Sequence, residues 1–276
     1  MSSGVVKGAI IFFAFAISIA LYMAIYNAVI WRRVRSVLYP GQKKKLWSQW
    51  TMIWKYMGCS NDISDGRKIF IWPIFDWFIR SDHLNACATS LPPWDPGKAV
   101  ILFNHVWIAI ICFEGNTPIV KRAFEQSLYH EICHLHYDFL THWKMSKRGK
   151  ISKEARKFAL YINEVYCDFY GTQHSGYDRE DEINIIIDFK VRVDQKLSGS
   201  SFEESENREV GDHPSWKKRR EWLLEGMFDD RLIKRIAKET GFCEEGTIDE
   251  LCRYFKDIRL RTCRLDAIQV EGWSQG

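Results

Sequence analysis

The chain has 276 residues, 46% of them hydrophobic and 27% charged, with a formal net charge of +4. That length and composition fit a globular body of one sizeable domain with appendages, the simpler reading, or two small domains, and they indicate neither extensive disorder nor a polytopic membrane protein. The basic excess gathers beside the first hydrophobic segment and forms no stripe that could follow a phosphate backbone, so nucleic acid is not an expected partner.

Residues 8–31 carry no charge, and Asn27 is their only strongly polar member. At about 1.5 Å per residue a helix of this length crosses roughly 30 Å of hydrocarbon with some tilt. A cleaved signal peptide is the alternative, but the run is too long for an h-region and no small-residue cleavage site precedes the basic cluster. Lys7 flanks the segment on one side, and Arg32, Arg33, Arg35, Lys43, Lys44 and Lys45 follow on the other. The positive-inside rule therefore predicts a single-pass protein whose C-terminal part is cytoplasmic. Eight scattered cysteines without a CxxC pair read as reduced thiols, in keeping with that compartment.

Leu46, Trp47, Trp50, Ile53, Trp54 and Met57 recur at helical spacing, as expected of either an interfacial helix or an ordinary core helix. Residues 69–79 are equally aromatic but contain Pro73 and Asp76 and are too short to span, so they belong to the core or to a second membrane contact. The turn-rich run 91–97 (LPPWDPG) marks a boundary. Residues 99–113 are rich in Val, Ile and Phe and interrupted by Asn104-His105. They read as a hairpin or two short buried strands, with a buried or re-entrant helix as the alternative.

Thr117-Pro118 opens a helix expected to run to about residue 143, with the threonine hydroxyl as cap and proline at the first helical position. Ser152 with Glu154 opens another, expected to end before Gly171. Residues 182–197 match both helical and period-two patterns. Residues 198–212, rich in Ser and Glu, read as a mobile loop. Helices follow over 214–227, over 230–240 and from Thr247, whose capping box Glu250 would close. The expected organisation is thus an anchor with its basic flank (1–40), a membrane-proximal aromatic region (41–97), a main body (98–228) and C-terminal helices packed on it (229–276).

The informative residues are His130-Glu131-Ile132-Cys133-His134. On a helix, positions i and i+4 differ by only about 40° in direction, so both imidazoles can share one metal ion, and zinc suits them. Glu131 can then act as general base on a water. Glu164 on the next helix supplies a carboxylate as third ligand, which leaves the fourth position open for catalysis. Asp168, one turn later, can accept the free ring N–H of a ligand histidine, and Asp138 lies one turn past His134. His213-Pro214 and Arg219 form a third element, from which a histidine or arginine could stabilise an oxyanion. His136 points away from the ligand face, and it and His142 receive no role.

With an HExxH helix, an ExxxD helix and a later HP segment followed by arginine, the chain resembles the HtpX-like and CAAX-prenyl-protease-type membrane zinc endopeptidases, a gluzincin family. The stretches HEICHLHYD and NEVYCD also resemble the peptidase domains of BlaR/MecR-type sensor proteins. The resemblance covers about 99–224. It implies a mainly α domain with a small β-sheet near the active helix, a zincin-like α+β fold, and hydrolysis of protein or peptide substrates at a lipid membrane. Those families usually have several membrane spans, whereas one clear span precedes the motifs here. The reading from a different class is a membrane-tethered scaffold or sensor with a structural zinc site. A cytoplasmic regulatory peptidase of the ImmA/IrrE type also uses HExxH, but its soluble form leaves the N-terminal span unexplained.

Overall fold

A computed structural model describes residues 3–43, 46–58, 68–73, 83–90, 98–137, 151–210 and 213–258. Among the described residues the chain is mainly helical, with one small sheet and one long apolar helix at the N-terminus. It divides into two compact units, residues 1–120 with 192–200 and residues 121–191 with 201–276. This division differs from the four segments drawn on the sequence. Residues 192–200 join the first unit although they end a helix of the second, and Asp194 there accepts a hydrogen bond from the Leu84 backbone N–H at 2.9 Å.

Helix α1 (Ser3–Leu38) is long and apolar enough over Phe12–Leu38 to cross a membrane, and it presents Phe12, Phe15, Ile17 and Leu21 outward. The surroundings change near its end. Val34 and Leu38 are buried, and Tyr39 stacks on Phe113 with ring centroids 4.5 Å apart. Helix α2 (Leu46–Gly58) buries Met52, Ile53 and Tyr56 and leaves Trp54 70% exposed, so its inner face is core. The Tyr56 hydroxyl donates to the Gly115 carbonyl at 2.5 Å.

Strands β1 (Lys68–Pro73), β2 (Ala86–Ser90) and β3 (Lys98–Phe103) form a sheet of order β1-β3-β2, with β3 parallel to β1 and antiparallel to β2. Residues 69–73 of the aromatic run therefore lie in an edge strand, the position in a sheet where a proline such as Pro73 is tolerated. The rest of that run and the turn at 91–97 fall outside the described residues. The hairpin expected over 99–113 is replaced by β3 followed by helix α3 (His105–Glu114). Asn104 decides the change of state, because its side chain accepts the Trp107 N–H as helix N-cap and its amide donates to the His83 carbonyl at 2.8 Å.

The second unit carries most of helix α4 (Pro118–His136), then α5 (Lys153–Ser175), most of α6 (Glu180–Ser198), α7 (Phe202–Asn207), α8 (Trp216–Leu223), α9 (Asp230–Thr240) and a last helix, α10, over 245–258. Four sequence expectations change here. The Thr117 hydroxyl donates back to the Glu114 carbonyl at 2.8 Å. Helix α5 passes through Gly171 and stops at Gly176, whose left-handed backbone (φ 73°) makes it the C-cap. The Ser/Glu-rich loop contains α7, started by a capping box of Ser201 with Glu204. Thr247 lies inside α10, and its hydroxyl bonds Glu244 at 2.5 Å. The undecided segment 182–197 is helical, and residues 138–150, with Asp138 and His142, lie outside the described ones. A core of Phe158, Ile162, Tyr166, Phe228, Ile233 and Phe255 fixes α5 in this unit, and α5 in turn presents the chemistry.

Candidate metal centre

Helices α4 and α5 run side by side in opposite directions, and one glycine sets how close they come. A Cβ on Gly171 would lie 2.6 Å from the Gln126 carbonyl oxygen and 3.2 Å from the His130 backbone nitrogen. One turn from each of these points, Asp168 faces His130, and one turn further Asn163 and Glu164 face His134, which Cys167 also approaches. The i, i+4 spacing thus acts on both helices at once.

The His130 and His134 Nε2 atoms are 3.1 Å apart. The Glu164 carboxylate spans them, with Oε2 at 3.3 Å from His130 Nε2 and Oε1 at 3.3 Å from His134 Nε2. All three side chains are capable ligands whose donor atoms lie within 4.8 Å of one another, and His130 and Glu164 are buried. In a tetrahedral site with bonds of about 2.0–2.1 Å, ligand atoms stand about 3.3 Å apart. The imidazole nitrogens stand close to that separation, and each lies at it from one of the two Glu164 oxygens. Three lone-pair donors this close in a buried place repel one another unless positive charge lies between them.

The outer ring nitrogens fit the same reading. His130 Nδ1 is 2.9 Å from Asp168 Oδ1, so a proton on Nδ1 has its acceptor and Nε2 is left as a ligand. His134 Nδ1 lies 3.1 Å from Asn163 Nδ2, two donors facing each other if Nε2 binds a cation, while Asn163 Oδ1 is buried without a hydrogen-bond partner. Turning the amide by 180° about its axis would replace the facing donors by a donor and an acceptor. With Oδ1 toward His134, the orphaned oxygen accepts the Nδ1 proton. Cys167 Sγ stands 3.5 Å from the same nitrogen. Sequence reasoning passed over Asn163, Cys167 and Gly171. Helical spacing could have flagged the first two, since 163 and 167 share one face beside Glu164.

Arg219, expected as a possible transition-state contact, lies against Asp168. Its guanidinium donates twice to Asp168, through Nε at 2.6 Å and through a terminal nitrogen, and its carbon lies 4.4 Å from the centre of the Trp216 ring. It is buried in that position and holds the carboxylate that orients His130. Burial pushes the Asp168 carboxyl up, but Arg219 and His130 outweigh it and hold the group well below the usual carboxylate range. His213, expected to face an oxyanion, is half-exposed, with Nδ1 2.8 Å from Glu164 Oε2. Among the described residues nothing engages its Nε2. Glu164 is likewise raised by burial and pulled well below its ordinary value by His213 and His134 together with the hydrogen bonds from both helix histidines. Glu131 is buried at 7% exposure, and its charge reaches His213 and Arg219.

The described chain thus contains a buried His-His-Glu cluster able to hold a metal ion, with a polar partner behind each histidine. Compared with known proteins, the chain matches no family model, no curated protein and no solved structure.

Proposed function

We propose that this protein is a membrane-anchored, zinc-dependent endopeptidase of the zincin-like, gluzincin type, which hydrolyses peptide bonds of protein or peptide substrates. The observation that carries the reading is the convergence of His130, His134 and Glu164 at tetrahedral edge distances, with Glu131 beside the first histidine. The donor set of two imidazoles and one carboxylate is the set that suits zinc in sites with an open position. When bound there, zinc supplies Lewis acidity that lowers the pKa of water and polarises a carbonyl oxygen. Glu131 accepts the proton of the attacking water and passes it to the leaving amine as the C–N bond breaks. Asp168 and Asn163 fix the ring orientations of His130 and His134, and Arg219 fixes Asp168. His213 holds Glu164 through Nδ1 and offers Nε2 to the substrate.

The outward apolar face of α1 supports an anchor in the bilayer, and the basic flank from Arg32 to Lys45 supports a cytoplasmic catalytic unit. The test is metal content together with casein cleavage for wild type and Glu131→Gln. We expect one zinc per chain in both proteins and a fall in cleavage of about 10²–10⁴-fold in the variant, the usual worth of a general base. Undiminished proteolysis by Glu131→Gln would remove the role assigned to that residue. Zinc held by four protein ligands would instead favour the scaffold or sensor reading.

A further inference from the structure

The end of α1 carries a feature that neither an anchor nor a peptidase requires. After Leu38 the chain turns through Tyr39, Pro40 and Gly41, the last in the left-handed region (φ 73°) that favours glycine. The Gln42 N–H closes the turn on the Tyr39 carbonyl at 3.3 Å. This reversal brings Lys43 back toward Arg35, so that the two line one open hollow of about 270 Å³ with Ser36, Tyr39 and Gly41. The floor is rigid, because Tyr39 is 4% exposed and stacked on Phe113. Among the described residues neither Arg35 nor Lys43 is paired with a carboxylate, although both are exposed.

Depth along α1 says what such a hollow meets, taking α1 as a span in the sense proposed above. The outward apolar residues from Phe12 to Val29 cover about 27 Å of helix, close to the roughly 30 Å thickness of a hydrocarbon layer. Arg35 follows about 9 Å beyond Val29, within the headgroup layer. The partial negative charge of the helix C-terminus opposes an anion there, but it amounts to about half a charge against two full cations. We propose that this hollow binds the phosphate of an anionic phospholipid in the leaflet at the C-terminal end of α1, with Arg35 and Lys43 as its charged contacts.

The test uses the full chain reconstituted in phosphatidylcholine vesicles containing a minor fraction of spin-labelled phosphatidylglycerol or, as control, spin-labelled phosphatidylcholine. It compares wild type, Arg35→Gln/Lys43→Gln and Arg32→Gln/Arg33→Gln, the last removing equal charge outside the hollow. Wild type is expected to prefer the anionic label. The hollow variant should lose about 25-fold of that preference, two basic contacts each worth about five-fold, while the flanking variant loses less than five-fold. No preference in wild type, or equal loss in both variants, would overturn the site. Displacement of the label by inorganic phosphate would also overturn it, by assigning the hollow to a free anion. Alkaline washing of the same vesicles reads the span separately. Protein that washes off defeats the anchor, whereas inserted protein without lipid preference defeats only the headgroup site.

Discussion

Replacing Gly171 by alanine tests how the centre is assembled. In an ordinary mid-helix position this change stabilises by about 0.5–1 kcal/mol, because alanine is the better helix former. Here the new Cβ would stand 2.6 Å from the Gln126 carbonyl oxygen, about 0.8 Å inside the nearest ordinary contact of 3.4 Å. The obstacle is the backbone of α4, which has no rotamer to change, so α4 and α5 must part by several tenths of an ångström. Overpacking of this kind costs about 1–3 kcal/mol, which reverses the expected sign. The separation also acts on function, because His130 and His134 ride on one helix and Glu164 on the other, and metal–ligand distances tolerate only about ±0.2 Å. We therefore expect Gly171→Ala to be less stable than wild type in urea denaturation of the metal-free protein and to bind zinc at least about ten-fold more weakly in chelator competition. A variant as stable as wild type, with unchanged zinc affinity, would refute the claim that helix approach at Gly171 sets the geometry.

Other substitutions probe single contacts. Asn163→Ala removes the acceptor assigned to His134 and should weaken zinc binding about 10–100-fold in the same competition assay, whereas an unchanged affinity would leave that ring without a polar support. Arg219→Met strands the buried Asp168 charge and should cost about 3–5 kcal/mol by urea denaturation, and a loss below about 1 kcal/mol would place the guanidinium elsewhere in solution. Because the folded Asp168 carboxyl lies below its unfolded value of about 3.9, its contribution is complete above that pH and shrinks as pH falls through and below it. Metal-free wild type should therefore lose stability between about pH 5 and pH 2 more steeply than Asp168→Asn, and parallel curves would contradict the depressed value. Deleting residues 3–31 should convert the protein from a form that resists alkaline extraction to a soluble one, as tested by sedimentation of vesicles, and persistent pelleting would move the membrane contact to another element.

Much of the centre is written locally. The spacing of His130 with His134, and of Glu164 with Asp168, puts each pair on one face of any helix that contains it, whatever the rest of the chain does. The uncharged run before Arg32 is equally local, since length and polarity alone decide whether a helix can span. Other features carried no such signal. Residues 99–113 could not be divided by periodicity, because a buried strand and a buried helix are both apolar on every face; only the Asn104 side chain, bonded to Trp107 and His83, separates β3 from α3. Tertiary structure alone decided which groups meet across the chain. Asp168 reaches His130 across 38 positions, His213 reaches Glu164 across 49, and Arg219 reaches Asp168 across 51. Helical periodicity fixes the direction of a side chain about its own axis and says nothing about which axis lies opposite. The packing of α4 on α5 at Gly171 supplies that choice for the histidines and Glu164, and the packing of α8 on α5 supplies it for Arg219 and Asp168.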